Sequence, residues 1–283
     1  MEKRVLLPTD YSKNALNAIR YAQKLFKDIP CDFFLLNAYD VSGGSQRTMV
    51  PEPGEHFYET AKRQSEEQME RLLVALNVMP ENAKHRFHTY CVFNDLVEAV
   101  KNMIAKKDID IIVMGTKGVT SSKSRIFGTK TVQVMEQIRN CPVVVVPEHH
   151  VFEPPKEIVF PADYKTDYKK KELNHLTEIA KLHDAKINVL HIDKNKDGKL
   201  NQKELTNKQL LQDILDGTDY EMHFLSSVKI SKGIKLFVES RNCNMIAFFN
   251  RKHLFFGSIL FNPLVKEIGY DPQVPILELN DYT

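Results

Sequence analysis

A chain of 283 residues with 42% hydrophobic and 27% charged side chains and no tryptophan has the balance of an ordinary folded protein, long enough for one large domain or two ordinary ones, and excludes a disordered or fibrous class. The net charge of +2 is spread evenly, with Lys and Arg against Asp and Glu at 20 to 18 over residues 1–150 and 19 to 19 beyond, so neither half is a basic nucleic-acid module. Four scattered cysteines, Cys31, Cys91, Cys141 and Cys243, form no C-x-x-C pair, which argues against a zinc site or disulfide framework and for reduced thiols in the cytoplasm.

The first apolar run, Val5 to Leu7, stops at Pro8; it is too short for a signal-peptide core, and no later run approaches the length of a membrane span. The expectation is a cytoplasmic protein without membrane contact. Strands are predicted near 4–8, 32–38, 85–92, 110–114 and 143–147, as nearly continuous Val, Ile, Leu and Phe runs suited to burial on both faces. Between them, Ser12 can cap a helix with Ala15, Ile19, Ala22 and Phe26 on one face. A longer helix is expected from about His56 to Leu76, and Asn94 or Asp95 can cap one carrying Val97, Val100 and Ile104. A last helical pattern, Val132, Met135 and Ile138, begins just past Thr129.

The same order then recurs. "RVLLPTDYSKNAL" is echoed by "EIVFPADYKTDYK", so that Asp10 corresponds to Asp163, and "IDIIVMGTKG" is echoed by "CNMIAFFNRK". Helices are expected near 167–182, 202–216 and 231–240, and "PEHHVFEPPKE" reads as a proline-rich linker. Alternating strands and helices define an α/β class with open parallel sheets, in two tandem domains, 1–148 and 157–283.

In the first half, "MGTKGVTSSKSRIFGTKT" follows a strand and leads into a helix. Ligands of open parallel sheets bind at such strand ends. Gly115, Gly118 and Gly128 can admit backbone N–H groups close to an anion, the helix start adds its dipole, Thr129 and Thr131 add hydroxyls, and Lys117, Lys123, Arg125 and Lys130 add charge. The same composition also serves tight turns with solvated lysines. Neither a Walker A loop nor a Rossmann G-x-G-x-x-G is present.

The glycine spacing, Gly115, two residues, Gly118, nine residues, then Gly128 and Thr129, together with the opening "VLLPTDYS", resembles the ATP-binding branch of the universal stress proteins, and the resemblance covers both halves in order. It implies tandem Rossmann-like domains related to the adenine nucleotide α-hydrolases, and ATP, with Mg2+, as ligand. It implies an adenosine contact for Asp10, an adenine-reading backbone at Ala38, and base and ribose contacts at Met114 and Gly115. It implies a phosphate loop containing Lys117, Gly118, Gly128, Thr129 and the backbone at Lys130 and Thr131. Lys130 departs from the family pattern, standing in a slot that is commonly apolar. Read from residues alone, Asp10 is a turn or capping aspartate before Ser12 sooner than a ligand contact, and its recurrence at Asp163 is compatible with either role. The function implied is a stress-response protein whose nucleotide state modulates contacts with protein partners; a slow ATPase and a nucleotide-free scaffold are the alternatives. No G-x-S-x-G and no metal-spaced histidines point to other chemistry.

Two other stretches attract attention. "VSGGSQ" follows the second strand rather than the first, and Gln46 and Arg47 stand where a pyrophosphatase loop requires Asp and Ser, so it reads as a loop. "DKNKDGKLNQKE" fits the EF-hand pattern, with Asp193, Asn195 and Asp197 as side-chain ligands, Lys199 as a carbonyl ligand and Glu204 as the bidentate carboxylate for Ca2+. An EF-hand needs an entering helix, whereas "INVLHI" reads as a strand. In the second half, Asn250 and His253 replace the first two glycines and only three residues precede Gly257 and Ser258, which predicts a single ATP site, in the first half. Family members pair through their last strand, so Val143–Val146 and Ile276–Leu279 are expected to form an intramolecular pseudo-dimer.

Overall fold

The computed structural model describes residues 2–39, 55–77, 82–116, 127–193, 199–226, 228–250 and 273–280. The chain divides into two compact units, 1–150 and 151–283. The first comprises β1 (Lys3–Pro8), α1 (Lys13–Leu25), β2 (Cys31–Tyr39), α2 (Glu55–Asn77), β3 (His85–Phe93), α3 (Leu96–Lys107), β4 (Ile111–Gly115), α4 (Thr129–Gln137) and β5 (Val143–Val146). Its strands are all parallel, in the order β3-β2-β1-β4-β5. The apolar runs explain the central strands: Val5, Leu6, Leu7, Leu35, Leu36, Ile111, Ile112 and Val113 are all fully buried. β3 differs from the expected two-sided burial, because it lies at the sheet edge, where none of its residues is fully buried.

Local signals set the helix starts. The Ser12 hydroxyl accepts the Ala15 N–H at 3.1 Å and the Asp95 carboxylate accepts the Val97 N–H at 2.9 Å, which selects Asp95 rather than Asn94 as the cap of α3. The predicted faces are buried in α1 and α3, whereas α4 buries Val134 and Met135 and leaves Val132 part exposed.

The second unit comprises β6 (Glu157–Pro161), α5 (Lys170–His183), β7 (Lys186–Asp193), α6 (Gln202–Leu215), β8 (Tyr220–Ser226), α7 (Ile230–Arg241), β9 (Met245–Asn250) and β10 (Ile276–Asn280). Its parallel order, β8-β7-β6-β9-β10, repeats that of the first. Among the described residues no helix is long and apolar enough to cross a membrane.

In each unit the chain leaves the central strand toward one side of the sheet and returns on the other. In the first unit this reversal lies between β1 and β4, so their carboxyl ends border the crevice where open α/β sheets hold ligands.

Candidate functional site

The end of β1 turns sharply into α1. Asp10 Oδ1 accepts the Ser12 N–H at 3.1 Å, Thr9 Oγ1 accepts the Tyr11 N–H at 3.0 Å, and Ser12 caps α1. The turn takes Tyr11 into the left-handed region, with φ at 62°, a conformation that costs a residue with a side chain about 1–2 kcal/mol. Contacts from α2 and β3 hold it there, and β2 braces the residue two positions before it. The Tyr11 hydroxyl donates to the Ser65 carbonyl of α2 at 2.7 Å and lies 3.8 Å from Cys91 Sγ of β3, and burial raises the phenol pKa well above its usual value. Asn37, at the end of β2, donates from Nδ2 to the Thr9 carbonyl at 2.7 Å and accepts the Ser65 hydroxyl on Oδ1 at 2.7 Å. Asp10 is thus part of a capping turn. Ala38, next to Asn37, is part exposed.

Across the crevice, β4 ends in Met114 and Gly115, both buried. A Cβ on Gly115 would lie 2.7 Å from Asn14 Cγ and 2.8 Å from both its Oδ1 and Nδ2. Close approach of the Asn14 amide of α1, rather than positive φ, is what disfavours a Cβ there. The Gly128 N–H donates to the Thr116 carbonyl at 2.7 Å, bringing the start of α4 against the end of β4. Gly128 is the N-cap of α4, with φ −69° and no side-chain cap for the leading N–H groups. It too lies outside the left-handed region.

The side chains after it have other employment. The Thr131 hydroxyl is buried and donates to the Gly115 carbonyl at 2.9 Å, fastening α4 to β4. Lys130 Nζ sits 2.9 Å from Asp95 Oδ2, joining α4 to the cap of α3, and this hydrogen bond holds the Asp95 carboxyl below its usual pKa. The expected hydroxyl and ammonium contributions from these two residues are therefore already committed, and their backbone N–H groups are what they offer to the crevice. Thr129 is exposed. Lys117, Gly118, Lys123 and Arg125 lie outside the described residues, as does "VSGGSQ".

The second unit repeats the turn with a different support. Asp163 Oδ1 accepts the Lys165 N–H at 3.1 Å and Tyr164 is left-handed, with φ at 57°. Register makes His191 the counterpart of Asn37: Leu36 pairs with Pro8 and Leu190 with Pro161, and each of the two follows directly. His191 Nδ1 donates to the Ala162 carbonyl at 2.8 Å, and its ring stacks on Tyr164 with centroids 4.7 Å apart. Asn250 ends β9, while His253, Gly257 and Ser258 lie outside the described residues.

The EF-hand-like stretch starts from a strand, β7, which ends at Asp193. Asn195 and Asp197 lie outside the described residues, and Lys199 precedes α6. Glu204 completes a capping box, accepting the Asn201 N–H at 2.9 Å while Asn201 Oδ1 accepts the Glu204 N–H at 2.9 Å. Among the described residues no group of three or more His, Cys, Asp or Glu is gathered to hold a metal.

Sequence reading missed the support residues: Asn14 against Gly115, Asn37 and Ser65 behind the first turn, and Tyr11 itself. The signal for Tyr11 was available in its recurrence after the repeated aspartate. Ser65 also breaks an apolar stripe, for it lies on the buried face of α2 with Met69, Leu72 and Leu76.

A parallel sheet with a strand-order reversal, bordered by an aspartate turn and a glycine-capped helix, defines a Rossmann-like α/β protein. The model of the universal stress protein family matches residues 1–147, just over half of the 283, and the chain belongs to that family. A universal stress protein of Methanocaldococcus jannaschii is 27% identical over 144 residues, covering 51% of this chain and 81% of that protein. The crystal structure of a universal stress protein from Archaeoglobus fulgidus matches with TM-score 0.72 at 17% identity, covering 98% of each chain. A Pseudomonas aeruginosa PAO1 protein of unknown function matches with TM-score 0.59 at 10% identity, over 98% of this chain and 92% of its own. At these identities the two structures show the fold alone, and they do so across both units.

Proposed function

We propose that the first unit binds ATP, accompanied by Mg2+, in the crevice between β1 and β4, and that nucleotide occupancy modulates contacts with protein partners in a cytoplasmic stress response. The observation that carries this reading is the start of α4: a nine-residue helix opens against the reversal point with a glycine at its cap, so its leading N–H groups and positive dipole end face the crevice. The backbone N–H groups of Thr129, Lys130 and Thr131 would hold phosphate oxygens, with Gly118 and Lys117 contributing from the preceding stretch. β1 separates β2 from β4 in the sheet, so a ligand with its anionic end on α4 extends its other end across β1 toward Ala38. Asp10 borders that path, where its carboxylate can accept from a sugar hydroxyl, and Met114 and Gly115 floor it. The family resemblance assigns the same positions to adenosine and phosphate.

Binding, rather than turnover, is the activity these groups supply: they position and neutralise a phosphate chain, and the one carboxylate among them, Asp10, serves the α1 turn. Protein purified without added ligand, denatured and analysed chromatographically, is expected to release adenine nucleotide, and the Gly128→Val variant is expected to release much less. Equal release from both would remove α4 from the site. Rapid stoichiometric hydrolysis in a single-turnover assay would favour the ATPase alternative.

A further inference from the structure

We infer that Ser65 of α2, acting through Asn37 and Tyr11, is the positioning residue for the non-phosphate end of the ligand in the first unit. The inference rests on the reading of the crevice as an adenine-nucleotide site. With the anion on α4, the base end reaches Asp10 and Ala38, and neither is set in place by its own strand alone. Asp10 is followed by the left-handed Tyr11 and Ala38 is preceded by Asn37. The side chains of these two neighbours converge on one residue. Tyr11 donates to the Ser65 carbonyl at 2.7 Å, with the Ser65 hydroxyl 3.3 Å from the phenol oxygen, and Ser65 Oγ donates to Asn37 Oδ1 at 2.7 Å. Asn37 in turn donates to the Thr9 carbonyl at 2.7 Å, closing the circuit beside Asp10.

Ser65, Asn37 and Thr9 are 4%, 8% and 6% exposed, so these bonds are shielded from competing water, and losing one partner leaves a buried polar group unsatisfied. The second unit supplies an internal contrast. It keeps the left-handed tyrosine, yet holds it by stacking on His191 and by donation from Asn207 Nδ2 to the Tyr164 carbonyl at 2.9 Å. The turn can therefore be built without the serine–asparagine circuit. The link between the strand ends is common to both units, since His191 donates to the Ala162 carbonyl as Asn37 does to that of Thr9; what the circuit adds in the first unit is Ser65 of α2, which holds both Asn37 and Tyr11 beside the base end.

The test compares ATP, GTP and inorganic tripolyphosphate binding to the full chain, unaltered and as Ser65→Ala and Tyr11→Phe. Loss of one such hydrogen bond is expected to weaken ATP roughly three- to tenfold, to narrow the ATP-to-GTP preference and to leave tripolyphosphate affinity unchanged. A purely structural role would lower ATP and tripolyphosphate affinity by the same factor, and that result, or unchanged ATP affinity in both variants, would overturn the inference. Tyr11→Phe keeps the ring and serves if Ser65→Ala fails to fold. An unaltered chain that binds tripolyphosphate and ATP equally would refute base recognition here, while one that binds neither would overturn the nucleotide reading and the inference with it.

Discussion

Gly115→Ala tests whether the glycine at the end of β4 answers to packing or to the ligand. The added methyl would lie 2.7 Å from Asn14 Cγ, against an ordinary contact of about 3.5–4.0 Å, so the Asn14 amide, or α1 or the strand end with it, must move by several tenths of an ångström. Asn14 is 5% exposed, so its amide would have to shift within a packed interior. Overpacking of this kind costs about 1–3 kcal/mol, which in a unit of this size lowers its melting temperature by about 2–12 °C. Calorimetry of the ligand-free chain should show that loss in the first unit's transition. In the Asn14→Ala background the same substitution should cost much less, a coupling of at least 0.5 kcal/mol in the double-mutant cycle. A ligand-free protein as stable as the unaltered one, with strictly additive substitutions, would refute the packing argument and return Gly115 to the ligand.

Asp32, at the start of β2, accepts from Arg86 at 2.9 Å and 3.0 Å and from His88 at 2.9 Å, and these bonds, the Arg86 bond foremost, lower its carboxyl to about 2. A folded pKa below the unfolded value gives stability that is present above about pH 4 and is lost as pH falls toward 2; since Arg86 is 61% exposed, solvent screening limits it to about 1 kcal/mol. Asp32→Asn should therefore destabilise by up to that amount at pH 7, with the difference gone near pH 2 in urea titrations, and a constant difference across the range would contradict the ion pair as its source. Glu204→Gln keeps an acceptor for the Asn201 N–H and removes only the negative charge in the first turn of α6, so it should cost about 0.3–1 kcal/mol with no dependence on calcium. Heat of calcium binding lost in that variant would instead establish the EF-hand reading of Asp193 to Glu204.

The strands and caps were legible because their causes are local: short apolar runs, and Ser12 and Asp95 directly before the first residues of their helices. β3 reads as buried only if its edge position is unknown, and its polar residues His85, Arg86, His88 and Thr89 are the visible trace of that position. Within the site, the glycine tract and Asp10 stood out by composition, whereas their supports depend on contacts distant in sequence. Tyr11 and Ser65 are 54 residues apart and Lys130 and Asp95 are 35 apart, so nothing local forecasts a left-handed tyrosine or a lysine withdrawn into an ion pair. Gly115 was singled out for its backbone freedom, and its neighbour Asn14 supplies a different reason. The conformation of 117–126 lies outside the described residues, and the phosphate contacts proposed there rest on sequence.

Calorimetric titration of the full chain with ATP tests the central claim most directly. One equivalent per chain is expected, together with a stabilisation of about 2.7 kcal/mol at a hundred times the dissociation constant. Gly118→Val combined with Gly128→Val should abolish both, and Asp163→Ala should leave the stoichiometry at one. Two equivalents per chain, no binding at all, or binding that survives the double glycine substitution would contradict the assignment of a single nucleotide site to the first unit.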